Sequence, residues 1–235
     1  MAPTTRKSEF LRGCVVGLPF VLVIIPFGAL FGVVATEAGM GVPEIMGFAV
    51  LVIAGAAQFT ALQLMTENAP IMVVLATALA VNLRMAMYSA SLVPWLGQAP
   101  LWQRAVLAYL IVDQTYACSL AEYEAKPRMS VAERVAFFFG VALPIVPLWY
   151  AATLGGALLG ARIPEAFALD FALPITFIAL LSPMLRTAAH FAAAGVSVIL
   201  ALALAGLPAG VGLLIAGLCA MLAGAAVEMW TGRRT

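Results

Sequence analysis

Two ionisable side chains stand inside long apolar segments of this sequence. Arg84 follows Asn82 in one segment, and Asp113 opens the run Asp113-Gln114-Thr115-Tyr116 in the next. An unpaired charge at the centre of a bilayer costs about 2.5–3.5 kcal/mol, so such residues are functional candidates or paired. We therefore predict an Arg84–Asp113 ion pair inside a cluster that includes Asn82, Gln114 and Tyr116. A static pair that only holds two helices together is the alternative.

Asp113 and His190 are the candidate proton carriers. His190 is the only histidine in the chain, and imidazole titrates near neutral pH. A solvated histidine at the membrane surface, without a proton-transfer role, is the alternative. No nucleophile with a histidine base, metal-ligand cluster or glycine-rich phosphate loop is found. We therefore expect no enzyme, no metal site and no cofactor.

Gln58 and Phe59 lie together in another apolar segment. An unpaired amide in hydrocarbon costs on the order of a few kcal/mol, so Gln58 should face the interior of the protein. It then either joins helices or binds a solute along a transport pathway. Phe59 beside it is a candidate contact for an apolar substrate side chain.

The first apolar segment is interrupted by prolines and glycines: Gly17, Pro19, Pro26, Gly28 and Gly32. Proline removes a helical hydrogen bond and glycine allows the backbone to open, so this segment should bend or break. The free N–H groups of a broken helix can hold a carboxylate. A kinked helix that packs through Gly28 and Gly32 explains the same residues without a ligand.

The composition requires a membrane to surround these residues. The chain of 235 residues is 64% hydrophobic and 10% charged, whereas soluble domains carry about 25% charged residues. We predict an all-α, polytopic transmembrane bundle in a single domain, residues 1–235, with an uncleaved first span. Eight stretches approach the required length of about 20 residues: 14–35, 45–65, 70–95, 104–121, 135–160, 169–186, 189–206 and 209–228. Seven spans with a re-entrant segment are the alternative.

The distribution of Lys and Arg predicts the orientation, because positive loops stay in the cytoplasm. With eight spans, the cytoplasmic side would collect most cations, and only Arg104 and Arg162 would lie outside. Both termini are therefore predicted to be cytoplasmic. An ordinary charged loop is predicted for Glu122, Glu124, Lys126 and Arg128. A net charge of +1 without a basic stripe argues against nucleic acid as a partner.

The same residues resemble the AzlC-type branched-chain amino acid permease family. The resemblance rests on five segments: Pro26 to Gly32, Gly55 to Phe59, Val81 to Tyr88, Asp113 to Ala117, and Leu173 to Phe177. It implies the large subunit of a two-component exporter in the bacterial inner membrane. The implied substrates are leucine, isoleucine, valine and methionine, and the implied partner is a small membrane subunit of the AzlD type. A non-transporting structural or assembly protein is the competing interpretation.

Overall fold

A computed structural model describes residues 5–160, 185, 187–207 and 211–232. Within these residues the regular elements are helices, which confirms the all-α class. The helices are α1 (Arg6–Gly17), α2 (Val21–Glu37), α3 (Val42–Leu51), α4 (Gly55–Thr66), α5 (Ile71–Leu96), α6 (Leu101–Tyr109), α7 (Asp113–Ala125), α8 (Val131–Gly160), α9 (Ala188–Ala203) and α10 (Val211–Gly232).

The chain divides into two compact units. The first contains the described residues up to 62 and from 78 to 160, and the second contains residues 63–77 and the described residues from 185 onward. The assignment of one domain to residues 1–235 remains a prediction.

Three helical segments are long and apolar enough to cross a membrane: Arg6–Glu37, Ile71–Leu96 and Val131–Gly160. The shortest has 26 residues, which at 1.5 Å per residue exceeds a hydrocarbon core of about 30 Å. These segments correspond to the first, third and fifth predicted spans.

The first span is interrupted, as predicted, and the interruption lies at Pro19 and not at Pro26. A single 3-10 turn, Leu18–Phe20, separates α1 from α2 and contains Pro19. Proline lacks the N–H that a continuous helix would need there. Helix α2 passes through Pro26, whose side chain is exposed.

Helices α1 and α2 pack in parallel against α8 through glycines. Gly13 lies against Gly140, and Gly32 lies against Gly156 and Ala157. The contacts advance in the same direction along both helices, so the helices are parallel. A methyl group at Gly32 would come within 2.5 Å of the Ala157 nitrogen. Glycine is therefore required for this close approach.

The second predicted span, 45–65, is not one helix, which corrects the prediction. Helices α3 and α4 are separated by residues 52–54, the first break. Gly55, just after the break, lies against Phe27 of α2. Phe31 lies one turn further along α2 than Phe27. Its ring centroid lies 5.8 Å from that of Phe48 in α3 and 5.4 Å from that of Phe59 in α4. Helices α3 and α4 therefore both extend from the break toward the C-terminal end of α2. They form a hairpin, which we call the first hairpin.

The fourth predicted span, 104–121, is corrected in the same way. Residues 110–112, the second break, separate α6 from α7. Three contacts join α5 and α7 in order along both helices: Arg84 with Asp113, Ser91 with Tyr116, and Trp95 with Tyr123. Helix α7 thus runs parallel to α5 and begins about three turns before the end of α5. Helix α6 must run back along α5 to reach that point, so α6–α7 is the second hairpin.

One end of the first unit carries nearly all of its cations. The Arg134 guanidinium, near the start of α8, lies 4.9 Å from the Trp95 ring centroid at the end of α5. Helix α6 therefore starts at the same end as α8 and α1. This cationic end carries Arg6, Lys7, Arg12, Arg104, Lys126, Arg128 and Arg134.

The position of Arg104 corrects its predicted location on the opposite side from Arg134. The correction follows from the hairpin, because a re-entrant segment returns to the side from which it came. Among the described residues of the first unit, Arg84 is the one Lys or Arg that does not lie at the cationic end. Arg162 lies outside the described residues.

The predicted charged loop is also corrected, because Glu122 and Lys126 belong to an ion-pair network with α1. Arg12 pairs with Glu122 and, at 2.6 Å, with Glu9, whose side chain is only 2% exposed. The Lys126 ammonium lies 3.3 Å from the Glu122 carboxylate and 4.0 Å from that of Glu9. The network ties the end of α7 to α1.

The second unit contains the antiparallel pair α9 and α10. Gly224 lies against Ala189 and Ala193, whereas Gly212 lies against Leu204. These helices correspond to the predicted spans 189–206 and 209–228. The predicted span 169–186 and the segment Leu173 to Phe177 lie outside the described residues, except for Leu185.

Candidate functional site

The two breaks meet near the middle of α8. The Tyr109 hydroxyl, at the second break, donates a 2.8 Å hydrogen bond to the Val50 carbonyl of α3. It also lies 2.9 Å from the Tyr150 hydroxyl of α8. The last carbonyls of a helix lack helical donors, so Tyr109 satisfies a group that the first break exposes. Sequence reasoning did not select Tyr109 or Tyr150.

Thr115 stabilises the second break. Its hydroxyl accepts a 2.9 Å hydrogen bond from the Val112 N–H and lies 3.0 Å from the Leu110 carbonyl. The Thr115 side chain is fully buried. One hydroxyl therefore contacts backbone groups at both ends of the break, which would otherwise be unpaired in an apolar setting.

Gln58 lies on the first full turn of α4, just after the first break. Its side chain is fully buried, and within the described part of the chain neither amide atom has a hydrogen-bond partner. Side chains on a helix tilt toward its N-terminus. The first turn of α4 contains no acidic residue, so its free N–H groups are not neutralised locally.

Aromatic rings surround this turn of α4. Phe59 stacks on Phe27 at a centroid distance of 5.0 Å, and Trp149 lies 5.7 Å from Phe27. A methyl group at Gly55 would lie 2.6 Å from the Phe27 ring. The start of α4 is therefore lined by apolar rings on the side of α2 and α8.

The predicted ion pair is present. Arg84 Nη1 lies 3.1 Å from Asp113 Oδ2. The side chains are 31% and 45% exposed, so the pair is only partly buried. Asp113 is the first residue of α7, and its other carboxylate oxygen, Oδ1, is buried without a hydrogen-bond partner among described residues.

Two stacked tyrosines continue the polar contact between α5 and α7. Tyr88 and Tyr116 lie parallel with centroids 4.1 Å apart. The Tyr116 hydroxyl lies 3.2 Å from that of Ser91. Sequence reasoning selected Tyr116 but gave Tyr88 no role in the site.

The remaining predicted residues are dispersed. Asn82 lies on α5, and its Oδ1 is buried without a hydrogen-bond partner in the part of the chain that the structure describes. Gln114 lies half-buried in the first turn of α7. Gly28 packs against Trp149 and Ala152 of α8. The packing alternative thus accounts for Gly28, as it does for Gly32.

His190 lies in the second unit, in the first turn of α9, where its backbone N–H bonds to the Thr187 hydroxyl.

Among the predicted site residues, Gln58 and Phe59 lie together at the first break. Arg84, Asp113 and Tyr116 lie together at the second break.

Helices α4 and α7 both begin near the middle of the first unit, and their first turns differ chemically. Helix α4 offers N–H groups and an amide without an acid, whereas α7 begins with a carboxylate held by Arg84. Across the described residues, no group of three or more His, Cys, Asp or Glu side chains is placed to hold a metal ion.

Comparison with known proteins agrees with this picture of a membrane protein. The chain is 26% identical over 185 residues to the inner membrane protein YgaZ of Escherichia coli, covering 76% of this chain and 74% of YgaZ. It is 29% identical over 190 residues to an uncharacterized membrane protein of Archaeoglobus fulgidus, covering 79% and 80% of the two chains. A Helicobacter pylori membrane protein is 27% identical, with 73% and 75% covered. No solved structure matches the chain.

The family model for the AzlC protein matches residues 19–163. This segment includes both hairpins, both breaks and α8, and it covers more than half of the chain. The chain is a membrane protein and belongs to the AzlC family.

Proposed function

We propose that the chain is a transporter subunit that exports branched-chain amino acids across the inner membrane. Leucine, isoleucine and valine are the proposed substrates, with methionine as a further one, moved by gradient-driven alternating access. The observation that carries the proposal is the meeting of two broken helices at mid-depth. Irregular backbone at that depth is tolerated where protein or a water-lined cavity surrounds it, as in transporter binding sites.

The start of α4 is the proposed site for the substrate carboxylate. Its N–H groups carry the positive end of the helix dipole, and its first turn has no acid to compete with an anion. The buried amide of Gln58 lacks a partner among described residues. A carboxylate that accepts a hydrogen bond from this amide would remove the energetic penalty of an unpaired buried donor.

The carboxylate of Asp113 is the proposed site for the substrate ammonium group. One of its oxygens pairs with Arg84, and the other is buried without a partner among described residues. An ammonium group at that oxygen would complete the carboxylate's contacts. Arg84 competes with the substrate ammonium group for Asp113, which makes the pair a candidate gate.

The rings of Phe27, Phe59 and Trp149 are the proposed contacts for the branched side chain. They border the start of α4. The Phe27 ring centroid lies 5.0 Å from that of Phe59 and 5.7 Å from that of Trp149, so the rings pack on one another in this structure. A leucine or valine side chain gains free energy when it leaves water and packs against such rings.

The other predicted residues keep their proposed roles. Pro26, Asn82 and Gln114 remain candidate pathway residues, and Asp113 and His190 remain candidate proton carriers.

The proposed orientation places the cationic end of the first unit in the cytoplasm. Seven Lys or Arg residues lie at that end, whereas Glu37 and Glu44 lie at the other. We further propose cytoplasmic N- and C-termini and a small AzlD-type membrane subunit as partner.

Counterflow of radiolabelled leucine in proteoliposomes tests the function, with the chain alone and with its candidate small subunit. We expect leucine and valine to exchange, whereas lysine and glutamate do not. Gln58→Ala should weaken leucine binding about tenfold or more, since a hydrogen bond to a charged group contributes about 1.5–3 kcal/mol. Gln63→Ala is the matched control, because Gln63 lies on the same helix, is exposed, and bonds to Glu67.

A non-transporting structural protein is the second candidate, and specific contacts favour it. Gly28, Gly32 and the Arg84–Asp113 pair all join helices to one another. Absence of leucine and valine flux under proton, sodium and substrate gradients, with folded protein and partner present, would establish this alternative. Unchanged leucine binding in Gln58→Ala would remove α4 from the proposed site.

A further inference from the structure

An apolar groove lies between the second half of α5 and the whole of α6. It encloses a cavity of about 310 Å3, within the size range of small-molecule sites. Leu92, Leu96, Leu107 and Ile111 form a buried floor, each at most 7% exposed. We call this feature the α5–α6 groove.

The groove opens at the surface of the first unit. At its edges Val93 is 59% exposed and Leu101 is 75% exposed. Exposed aliphatic side chains on membrane-spanning segments face lipid chains. The groove therefore presents an apolar cleft to the hydrocarbon region.

A cation stands at the mouth of this groove. Arg104 is exposed and lines the cavity. Its guanidinium donates a long hydrogen bond of 3.4 Å to the Gly97 carbonyl and forms no ion pair with the described residues. Arg12 and Lys126, at the same end, already have acidic partners. The charge of Arg104 is thus available to an external anion.

The mouth also lies where lipid headgroups are found. Arg104 belongs to the cationic end of the first unit, where a membrane surface would cross the protein. Trp102, beside it in α6, is 65% exposed. Tryptophan is enriched at the headgroup level of bilayers, and arginine side chains near helix ends extend to the same level.

We propose that the α5–α6 groove binds an anionic phospholipid from the leaflet at the cationic end. One acyl chain lies along the leucine floor, and the phosphate pairs with Arg104. Basic pockets between membrane helices bind anionic headgroups by the same combination of charge and apolar contact. This site is separate from the proposed amino acid site and does not depend on transport.

Native mass spectrometry of the purified protein tests the proposal. The protein in detergent is titrated with phosphatidylglycerol or with phosphatidylcholine of the same acyl chains. We expect tighter binding of phosphatidylglycerol, and about a fivefold loss of that preference in Arg104→Gln, since one basic residue near the surface contributes about that factor. Arg128→Gln, which removes an exposed cation outside the groove, should leave it unchanged.

A second pair of variants tests the apolar part of the site. Ala108→Trp fills the groove and should reduce binding of both lipids, whereas Ala86→Trp, on an exposed face of α5 outside the groove, should not. The proposal is overturned if the wild type binds both lipids equally. It is also overturned if Arg128→Gln matches Arg104→Gln, or if Ala108→Trp leaves lipid binding intact. Size-exclusion profiles verify that each variant is folded.

Discussion

The Arg84–Asp113 pair gives the sharpest test of how the two helices of the site are held. The perturbations are Arg84→Gln, Asp113→Asn and the double change, which keep size and polarity but remove charge. Exposed ion pairs contribute about 0–1 kcal/mol, whereas removing one partner of a buried pair costs about 3–5 kcal/mol. The 3.1 Å contact with side chains 31% and 45% exposed lies between these cases.

We therefore expect each single change to lower the free energy of unfolding by about 1–3 kcal/mol. The double change should cost less than the sum of the two by about 1 kcal/mol or more, because it leaves no uncompensated charge. The measurement is unfolding in mixed micelles of detergent and SDS, monitored by tryptophan fluorescence. Arg128→Gln is the control, because Arg128 is an exposed cation that forms no ion pair with the described residues. Its expected effect is at most about 0.5 kcal/mol.

Leucine counterflow by the same variants separates mechanism from packing. Recovered stability without flux in the double variant would assign the pair to transport. Recovery of both would make it a structural contact. Additivity of the two single changes within about 0.5 kcal/mol would refute the coupling inferred from the geometry.

Three further predictions concern the hairpins and the α2–α8 contact. Thr115→Val should cost about 2–3 kcal/mol in the same unfolding assay, because the Val112 N–H and the Leu110 carbonyl lose a partner. Thr60→Val, which loses one bond to its own helix, should cost less, and equal costs would contradict the capping role. Gly32→Ala should destabilise by about 1–3 kcal/mol through overpacking, whereas Gly217→Ala, with open space at that position, should be near neutral; equal effects would refute close packing. A cysteine at Gln103 should be labelled from the same side of the membrane as the N-terminus, and labelling from the opposite side would show that α6–α7 crosses the bilayer.

Several features of this protein follow from composition alone. With 64% hydrophobic residues, the chain must place most side chains against lipid or one another, which determines a membrane helix bundle. The scarcity of charge also identifies Arg84 and Asp113, because a bilayer makes any unpaired charge at mid-depth expensive. Their pairing could therefore be predicted before any coordinates.

The direction of the chain between the long helices could not be predicted in this way. Residues 52–54 are Val-Ile-Ala and residues 110–112 are Leu-Ile-Val, so hydropathy continues across both breaks. A hydrophobic segment of about 20 residues satisfies the bilayer as one crossing helix or as two half-helices. The β-branched residues at each break, followed by Gly55 or Asp113 at a helix start, are the weak signals that were available.

Only tertiary contacts select the hairpin form. Tyr109 satisfies a carbonyl 59 residues earlier in the chain, and Gly55 fits against the Phe27 ring because it has no side chain. Thr115 satisfies the second break locally, but this capping lowers the free energy only once the chain has reversed. The sequence specifies which groups are costly in lipid, whereas packing against α2, α5 and α8 determines where each group finds its partner.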